Sequence, residues 1–216
     1  MSDNNSSGRF VSIEGIEGVG KSTVITFLQE KLIQLGVACT LTREPGGTPI
    51  AEDIRNVLLQ NHQEIMSKDT ELLLMFAGRA QNIQEVIRPA LERGHWVLSD
   101  RFTDASFAYQ GGGRGVSLQH IDELASWVQA GLAPDHVLLL DASVDVGLAR
   151  VHSRGARDRI EQEGVEFFER ARQVYLQRAQ AEPDRYTIID ATLPVEQVCN
   201  SAWLSLEKLY QECCNG

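Results

Sequence analysis

The chain has 216 residues, 43% of them hydrophobic, and carries a formal net charge of −10 at pH 7. A chain of this length buries one sizeable core, and it contains no linker-like stretch, so we predict a single domain over residues 9–213. The negative charge argues against nucleic acid as a partner. The longest apolar run, residues 72–77, falls far short of the about 20 residues that span a bilayer, so no membrane partner is expected.

The N-terminus and the cysteines indicate the cellular compartment in which we expect the protein. Residues 1–8 are small and polar, which predicts a disordered tail and not a secretory signal. The four cysteines have the spacing of neither a metal site nor a disulfide framework; they are Cys39, Cys199, Cys213 and Cys214. We therefore expect reduced thiols and a cytoplasmic location.

A phosphate-binding loop follows the first predicted strand. Residues 15–22 read GIEGVGKS, between a strand at 10–13 and a helix that ends at Gly36. Glycines let backbone N–H groups close around phosphates, Lys21 is expected against the β and γ phosphates, and Ser22 offers a hydroxyl to Mg²⁺. The motif therefore predicts binding of a nucleoside triphosphate such as ATP by Gly15, Ile16, Glu17, Gly18, Val19, Gly20, Lys21 and Ser22.

Strands and helices alternate along the rest of the chain. Further strands are predicted at 38–41, 96–99, 136–140 and 186–189. Helices are predicted at 49–59, 69–93, 102–110, 118–130, 144–152, 166–181 and 195–213. This alternation predicts an α/β fold in which helices cover both faces of a parallel sheet.

Two of these helices carry further sequence signals. Thr48 and Pro49 give the helix at 49–59 an N-cap followed by a proline in its first turn. The helix at 69–93 carries an apolar stripe that is expected to face the sheet, formed by Leu73, Phe76, Ala80, Ile83 and Ile87.

Polar residues follow several strands, where ligands of a parallel sheet collect. Asp100 and Asp141 each end an apolar strand, and either could complete a Mg²⁺ site with Ser22. The positions of the two residues in the sequence do not decide which one would bind Mg²⁺. Asp100 is favoured because Arg101 follows it, and a guanidinium grips a phosphate through two hydrogen bonds.

Two helical faces combine aromatic rings with hydrogen-bonding side chains. Ser106, Tyr109 and Gln110 lie three and four residues apart, while Phe76 and Arg79 lie three apart on the preceding long helix. Such faces are typical of a pocket for a base or a sugar, although an ordinary amphipathic helix has the same spacing.

Four arginines fall within ten residues of this acidic chain, at Arg150, Arg154, Arg157 and Arg159. The segment predicts either a solvated helix end or a mobile lid, at about 150–163, that brings an arginine to the transferring phosphoryl group.

Taken together, the motifs make the chain resemble the bacterial thymidylate kinases, in the nucleoside monophosphate kinase family of P-loop proteins, over nearly its full length. Five segments carry the resemblance: GIEGVGKS at 15–22, TREPGGT at 42–48, FAGRAQ at 76–81, DRFTDASFAYQGGGRG at 100–115 and RGARDRIEQE at 154–163. The resemblance implies a three-layer P-loop fold with a five-stranded parallel sheet and a short mobile lid. It also implies a homodimer that transfers the γ-phosphoryl group of ATP to dTMP with Mg²⁺, giving dTDP and ADP for dTTP synthesis.

The resemblance further implies roles for single residues around dTMP. Phe76 would stack on thymine, and Arg79 and Gln110 would address its polar edge. Arg55 and Arg101 would hold the acceptor phosphate. The other dTMP contacts would be Glu44 near the sugar, Pro45 in the adjoining wall, Ser106 near the base and Tyr109 beneath the deoxyribose.

The catalytic residues implied by the resemblance are Lys21, Asp100, Arg101 and a lid arginine. Some relatives place an arginine inside the phosphate-binding loop, where this chain has Glu17 and Val19, so the lid must supply positive charge. The lid departs from the family pattern at His152, where arginine is common, and at Arg157, where an apolar residue is common. We favour Arg154 as the phosphate contact, with Arg150 and Arg159 as supporting candidates.

Two other functions stay open at this point. A kinase of another small nucleoside or nucleotide would carry the same loop and differ in its acceptor pocket. A nucleotide-dependent switch would share the loop as well, but the chain lacks an Asn-Lys-x-Asp motif and a Leu-Ser-Gly-Gly-Gln signature.

Overall fold

The computed structural model describes residues 8–152 and 158–214. Five strands form one parallel sheet with the order β2-β3-β1-β4-β5. The strands are β1 (Phe10–Glu14), β2 (Cys39–Arg43), β3 (Trp96–Asp100), β4 (His136–Asp141) and β5 (Tyr186–Asp190). Helices flank the sheet, so the predicted α/β fold is confirmed.

The helices agree with the predicted ranges to within a few residues, with two exceptions. The segments 83–87 and 107–113 are π-helical, so the helices predicted at 69–93 and 102–110 are not uniformly α-helical. The α-helices are α1 (Lys21–Gln34), α2 (Pro49–Leu59), α3 (Lys68–Asn82), α4 (Arg88–Glu92), α5 (Thr103–Ser106), α6 (Leu118–Gln129), α7 (Val144–His152), α8 (Val165–Ala181) and α9 (Val195–Cys214). None of these helices, within the described ranges, has the length and apolar character needed to cross a membrane.

β1 lies at the centre of the sheet and carries the phosphate-binding loop at its carboxyl end. Its residue Ile13 is in register with Asp100 of β3 and with Leu138 of β4. All five residues of β1 are buried, as expected for a strand with helices on both faces. The chain then turns through residues 15–20 into α1, so this loop lies at the carboxyl edge of the sheet beside Asp100.

The apolar stripe predicted for the helix at 69–93 is confirmed at Phe76, Ile83 and Ile87, which are buried, and is wrong at Leu73 and Ala80. Leu73 is 58% exposed and Ala80 is also exposed, whereas Leu72, Met75 and Arg79 are buried. An apolar pattern could not reveal the full buried face, because this face includes a charged residue that is paired inside the protein. Met75 and Arg79 therefore lie with Phe76 on the buried side of α3.

The glycine-rich residues 111–115 form part of the packing between the second π-helical segment and α8. A β-carbon at Gly113 would overlap the ring of Phe167. Arg170 of α8 donates hydrogen bonds to the carbonyl oxygens of Gly112 at 3.0 Å and Gly113 at 2.8 Å. The glycines therefore allow a close approach of α8, which positions the preceding residues 109 and 110.

Candidate active site

The phosphate-binding loop surrounds a polar cleft, here called the P-loop cleft. Gly18 has a φ of 75°, and a β-carbon there would overlap the carbonyl oxygen of Gly147, so the backbone conformation and the close packing both require glycine. The N-cap of α1 has no side-chain hydrogen bond, which leaves the positive end of the helix facing the cleft. The cleft is lined by Glu17, Gly18, Gly20, Lys21, Ser22, Thr23, Asp100, Arg101 and Glu161.

Lys21 lies across the loop. Its Nζ donates hydrogen bonds to the carbonyl oxygens of Gly15 and Ile16, both at 3.0 Å. Burial, together with the charge of Arg101, lowers the pKa of Lys21 to about 8. A phosphate near Nζ would stabilise the charged amine and raise this pKa again.

The two acidic candidates for a metal site differ in their partners. Asp100 lines the P-loop cleft with Ser22, and its Oδ1 is buried without a hydrogen-bond partner among the described residues. Asp141 instead binds Arg172 through both carboxylate oxygens, at 2.7 and 2.9 Å. A buried oxygen without a partner fits a cation ligand, so the site favours Asp100 over Asp141.

A second cavity adjoins the P-loop cleft and is here called the acceptor cavity. Glu17 and Arg101 line both spaces, and an ion pair of 2.8 Å between them forms the shared wall. The acceptor cavity is lined by Glu17, Pro45, Arg55, Leu58, Leu59, Glu71, Met75, Arg101, Ala105, Tyr109, Gln110, Asp158, Arg159 and Ile160.

Arg101 reaches this wall from a backbone conformation that is rare outside glycine. Its φ is 71°, which costs energy in a residue with a side chain. Hydrogen bonds on either side hold the conformation: Arg101 N donates to Ile13 O at 3.0 Å, and Phe102 N donates to Glu14 Oε1 at 2.7 Å. The Nε of Arg101 is buried and has no partner within the described residues.

A second cation lies in the acceptor cavity. Arg55 donates a 2.7 Å hydrogen bond to the carbonyl oxygen of Pro45. Burial lowers the pKa of Arg55, and the nearby charges of Arg43 and Arg101 lower it further. The two guanidinium groups repel each other, so an anion that binds between them is stabilised by both.

Four of the predicted dTMP contacts do not line the acceptor cavity. Arg79 is fully buried; its Nε binds Glu44 Oε2 at 2.7 Å and its Nη2 donates to Ser106 Oγ at 2.9 Å. Its guanidinium lies 4.5 Å from the centre of the Phe76 ring. Burial raises the pKa of Glu44, although Arg79 opposes this effect. Arg79 therefore joins the four side chains in one buried cluster.

Met75 and Glu71 line the cavity although the sequence did not indicate them. Met75 lies four residues before Arg79, on the same face of α3, and this spacing is the one signal that could have identified it. Glu71 is 1% exposed and binds three side chains that come much later in the sequence, so no local pattern marks it. Its partners are Gln110, Arg114 and Arg159.

The three lid candidates have different positions. Arg150 Nη1 donates to Gly18 O at 3.3 Å and to Ala191 O at 3.1 Å, so it supports the phosphate-binding loop from outside the cleft. Arg159 binds the carbonyl oxygen of Leu58 at 2.8 Å in the wall of the acceptor cavity. Arg154 lies outside the described residues, as do His152's side chain and Arg157.

The sheet order and the loop between β1 and α1 define a P-loop protein with two adjoining cavities, one at the phosphate-binding loop and one containing two arginines. The sequence model of the family "Thymidylate kinase" matches residues 13–202. The chain therefore belongs to the thymidylate kinase family, and it is an enzyme of the kinase class.

Curated relatives named "Thymidylate kinase" support this assignment along nearly the whole chain. A protein from Pseudomonas entomophila is 54% identical over 207 residues, which cover 96% of this chain and 99% of the relative. One from Pseudomonas putida is 53% identical over 204 residues, 94% of this chain and 99% of the relative. One from Pseudomonas fluorescens is 56% identical over 194 residues, 90% of this chain and 92% of the relative.

Proposed function

We propose that this enzyme transfers the γ-phosphoryl group of ATP to the phosphate of dTMP, giving dTDP and ADP for dTTP synthesis. One observation carries the proposal: the P-loop cleft and the acceptor cavity share a single wall, formed by Glu17 and Arg101. A donor phosphate on one side and an acceptor phosphate on the other would meet at this wall. Such positioning is the main requirement of phosphoryl transfer.

On the donor side, we propose that the loop N–H groups and Lys21 hold the β and γ phosphates. Ser22 and Asp100 would hold Mg²⁺, and the unpartnered Oδ1 of Asp100 supports this role. Within the described ranges, no three His, Cys, Asp or Glu side chains cluster as a metal site, so phosphate oxygens and water would complete the coordination, as Mg²⁺ prefers. Bound Mg²⁺ would neutralise charge that develops on the phosphates.

On the acceptor side, we propose that Arg55 and Arg101 hold the phosphate of dTMP. Its oxygen attacks the γ-phosphorus while the bond from phosphorus to the bridging oxygen of ATP breaks. The attacking oxygen is already ionised at neutral pH, so no general base is needed. Arg101 also contacts the P-loop cleft, so one guanidinium can stabilise charge on both phosphates.

For the base and sugar, we propose that Met75 and Gln110 face the thymine ring while Tyr109 and Pro45 border the deoxyribose. All four line the acceptor cavity. The direct contacts predicted for Phe76, Arg79, Glu44 and Ser106 stay predictions, because these four residues are not among those that line the cavity.

We propose Arg154 as the lid arginine that reaches the transferring group. This role rests on the family resemblance alone. Arg159 and Arg150 would fix the two ends of the lid, because they contact the acceptor cavity and the phosphate-binding loop respectively.

The homodimer is also a proposal, and α3 and α6 form the surface we assign to it. Leu73 on α3 and Trp127 on α6 are 58% and 79% exposed and border one groove, which suits an apolar contact with the same surface of a second copy. Light scattering should give a dimer for the wild type and a monomer for Trp127→Glu. Leu204→Glu, on the exposed face of α9, is the control, and a monomeric wild type would contradict the proposal. The cytoplasmic location stays a prediction.

Turnover with four acceptors tests the proposed reaction. ADP release should be fast with dTMP, slower with dUMP and very slow with dCMP and thymidine. The missing methyl group of dUMP is worth about 1–3 kcal/mol in an apolar pocket, so dUMP should still be used. Lys21→Ala is the control and should lose most of the turnover while it stays folded. Faster turnover with thymidine or dCMP than with dTMP would instead support a kinase of another acceptor.

A further inference from the structure

A buried carboxylate on α3 connects three elements around the acceptor cavity. Glu71 is 1% exposed, and its Oε1 accepts a 2.9 Å hydrogen bond from Gln110 Nε2. Arg114 contacts both carboxylate oxygens through Nε at 3.2 Å, and Arg159 Nη2 contacts Oε2 at 2.7 Å. Glu71 thus holds the π-helical segment and the last part of the predicted lid against α3.

The carboxylate is ionised in this environment. Burial raises the pKa of Glu71, but the hydrogen bond from Gln110 and the charge of Arg114 outweigh it, and the net pKa lies below its ordinary value. An ionised carboxylate accepts hydrogen bonds and cannot donate one. Only the amide nitrogen of Gln110 can therefore face Glu71.

The other end of the Gln110 amide faces the ligand space. Gln110 is 2% exposed and lines the acceptor cavity, and its Oε1 is buried with no hydrogen-bond partner among the described residues. The oxygen and nitrogen of an amide have similar sizes, so hydrogen-bond partners decide the orientation. With Glu71 behind it, Gln110 presents an acceptor to the cavity.

We propose that Glu71 is a positioning residue that sets the base specificity of the acceptor cavity by fixing the orientation of the Gln110 amide. Thymine and uracil carry an N–H donor at N3, which pairs with a carbonyl oxygen. Cytosine carries a lone pair at N3, which would meet the same oxygen as an unpaired acceptor. This inference rests on the proposed function, because it requires a pyrimidine beside Gln110.

Glu71→Gln tests the inference, because a glutamine at this position can donate or accept and lets Gln110 take either orientation. The ratio of kcat/KM for dTMP to that for dCMP should fall by about tenfold or more, with most of the change coming from better use of dCMP. Isothermal titration with dTMP and dCMP should show the same loss in the ratio of Kd values. An unchanged ratio in the folded variant would overturn the inference.

Glu163→Gln is the matched control. Arg114 donates a 2.5 Å hydrogen bond from Nη1 to Glu163 and also binds Glu71, but among the described residues the Gln110 amide donates to Glu71 and not to Glu163. This variant removes one negative charge from the same cluster and should leave the ratio of dTMP to dCMP unchanged. A wild-type enzyme that does not prefer dTMP to dCMP would contradict the proposed function itself. A Glu71→Gln variant that keeps the wild-type preference would contradict only the role of Glu71.

A measurement on the wild-type protein covers the case in which Glu71→Gln does not fold. The side-chain amide protons of Gln110 should exchange slowly in the free enzyme and should stay protected when dTMP binds, because the ligand contacts the oxygen. Rapid exchange in the free enzyme, or loss of protection with dTMP, would overturn the inference.

Discussion

Tyr109 donates a 2.7 Å hydrogen bond from its hydroxyl group to Glu17 Oε2, and this contact links the π-helical segment to the phosphate-binding loop. The same hydroxyl accepts a 2.9 Å hydrogen bond from Arg101 Nη2. Burial raises the pKa of Tyr109 well above its ordinary value, and Glu17 adds to this effect against the opposing charge of Arg101. The phenol therefore stays protonated and keeps Glu17 and Arg101 in place between the two cavities.

Tyr109→Phe should lower kcat/KM for dTMP by roughly tenfold and lower the free energy of unfolding by about 1–3 kcal/mol. The substitution removes both hydrogen bonds of the hydroxyl group and leaves Glu17 Oε2 without its donor. Steady-state kinetics and thermal unfolding measure the two effects. Tyr186→Phe, which loses a hydrogen bond to Asp104 outside both cavities, is the control. Equal kinetics in Tyr109→Phe and the wild type would show that the shared wall does not need this contact.

Met75→Ala and Phe76→Leu should affect different properties of the enzyme. Met75→Ala should raise KM for dTMP several-fold, because it removes part of the acceptor cavity wall. Phe76→Leu should mainly lower the free energy of unfolding, by about 1–2 kcal/mol, because Phe76 packs with Phe107 in a buried cluster. Urea unfolding and kinetics with dTMP separate the two. If Phe76→Leu instead raised KM for dTMP while Met75→Ala only lowered the free energy of unfolding, Phe76 would be the residue that contacts the base.

Glu14→Gln should change how the stability of the protein depends on pH. Burial and the nearby carboxylate of Asp104 raise the pKa of Glu14 from 4.5 to about 8, so the folded protein keeps a proton that the unfolded chain releases. The wild type should therefore lose unfolding free energy as pH rises from about 4.5 to 8, by up to about 1.4 kcal/mol per unit.

Glutamine cannot ionise, but it keeps an acceptor for Phe102 N and a polar group for the Tyr175 hydroxyl. The unfolding free energy of Glu14→Gln relative to the wild type should therefore increase with pH over this range. Urea unfolding at pH 5, 6, 7 and 8 measures the difference. Parallel pH curves for the two proteins would mean that Glu14 is already ionised in the folded state.

Arg154→Ala should lower kcat much more than it raises KM for either substrate. A lid arginine acts on charge that is present mainly in the transition state. Arg150→Ala should act through the phosphate-binding loop and raise KM for ATP, because Arg150 binds Gly18 O. A silent Arg154→Ala combined with a severe loss of kcat in Arg159→Ala would move the catalytic role to Arg159.

The fold and the phosphate-binding loop could be predicted because their signals are local. The residues of the loop are contiguous, and most of the strands are short runs rich in apolar residues. The acceptor cavity depends on long-range contacts. Glu71 is separated from Gln110 by 39 residues and from Arg159 by 88, so no pattern in its own helix identifies it. Met75 and Phe76 are adjacent, apolar and both buried, and only the structure shows that Met75 lines the cavity.

The central position of β1 has a consequence for the order of folding. β1 pairs with β3 and β4, whose first residues are Trp96 and His136, so neither neighbour is close to it in sequence. The chain between these strands must close into long loops before β1 can pair with β3 and β4, and the entropy lost in closing the loops slows folding. During synthesis, the phosphate-binding loop has a complete strand on each side only after Asp141 has left the ribosome. A nascent chain that is shorter than this lacks β4 beside the loop, so we expect nucleotide to stabilise the fold only late in synthesis.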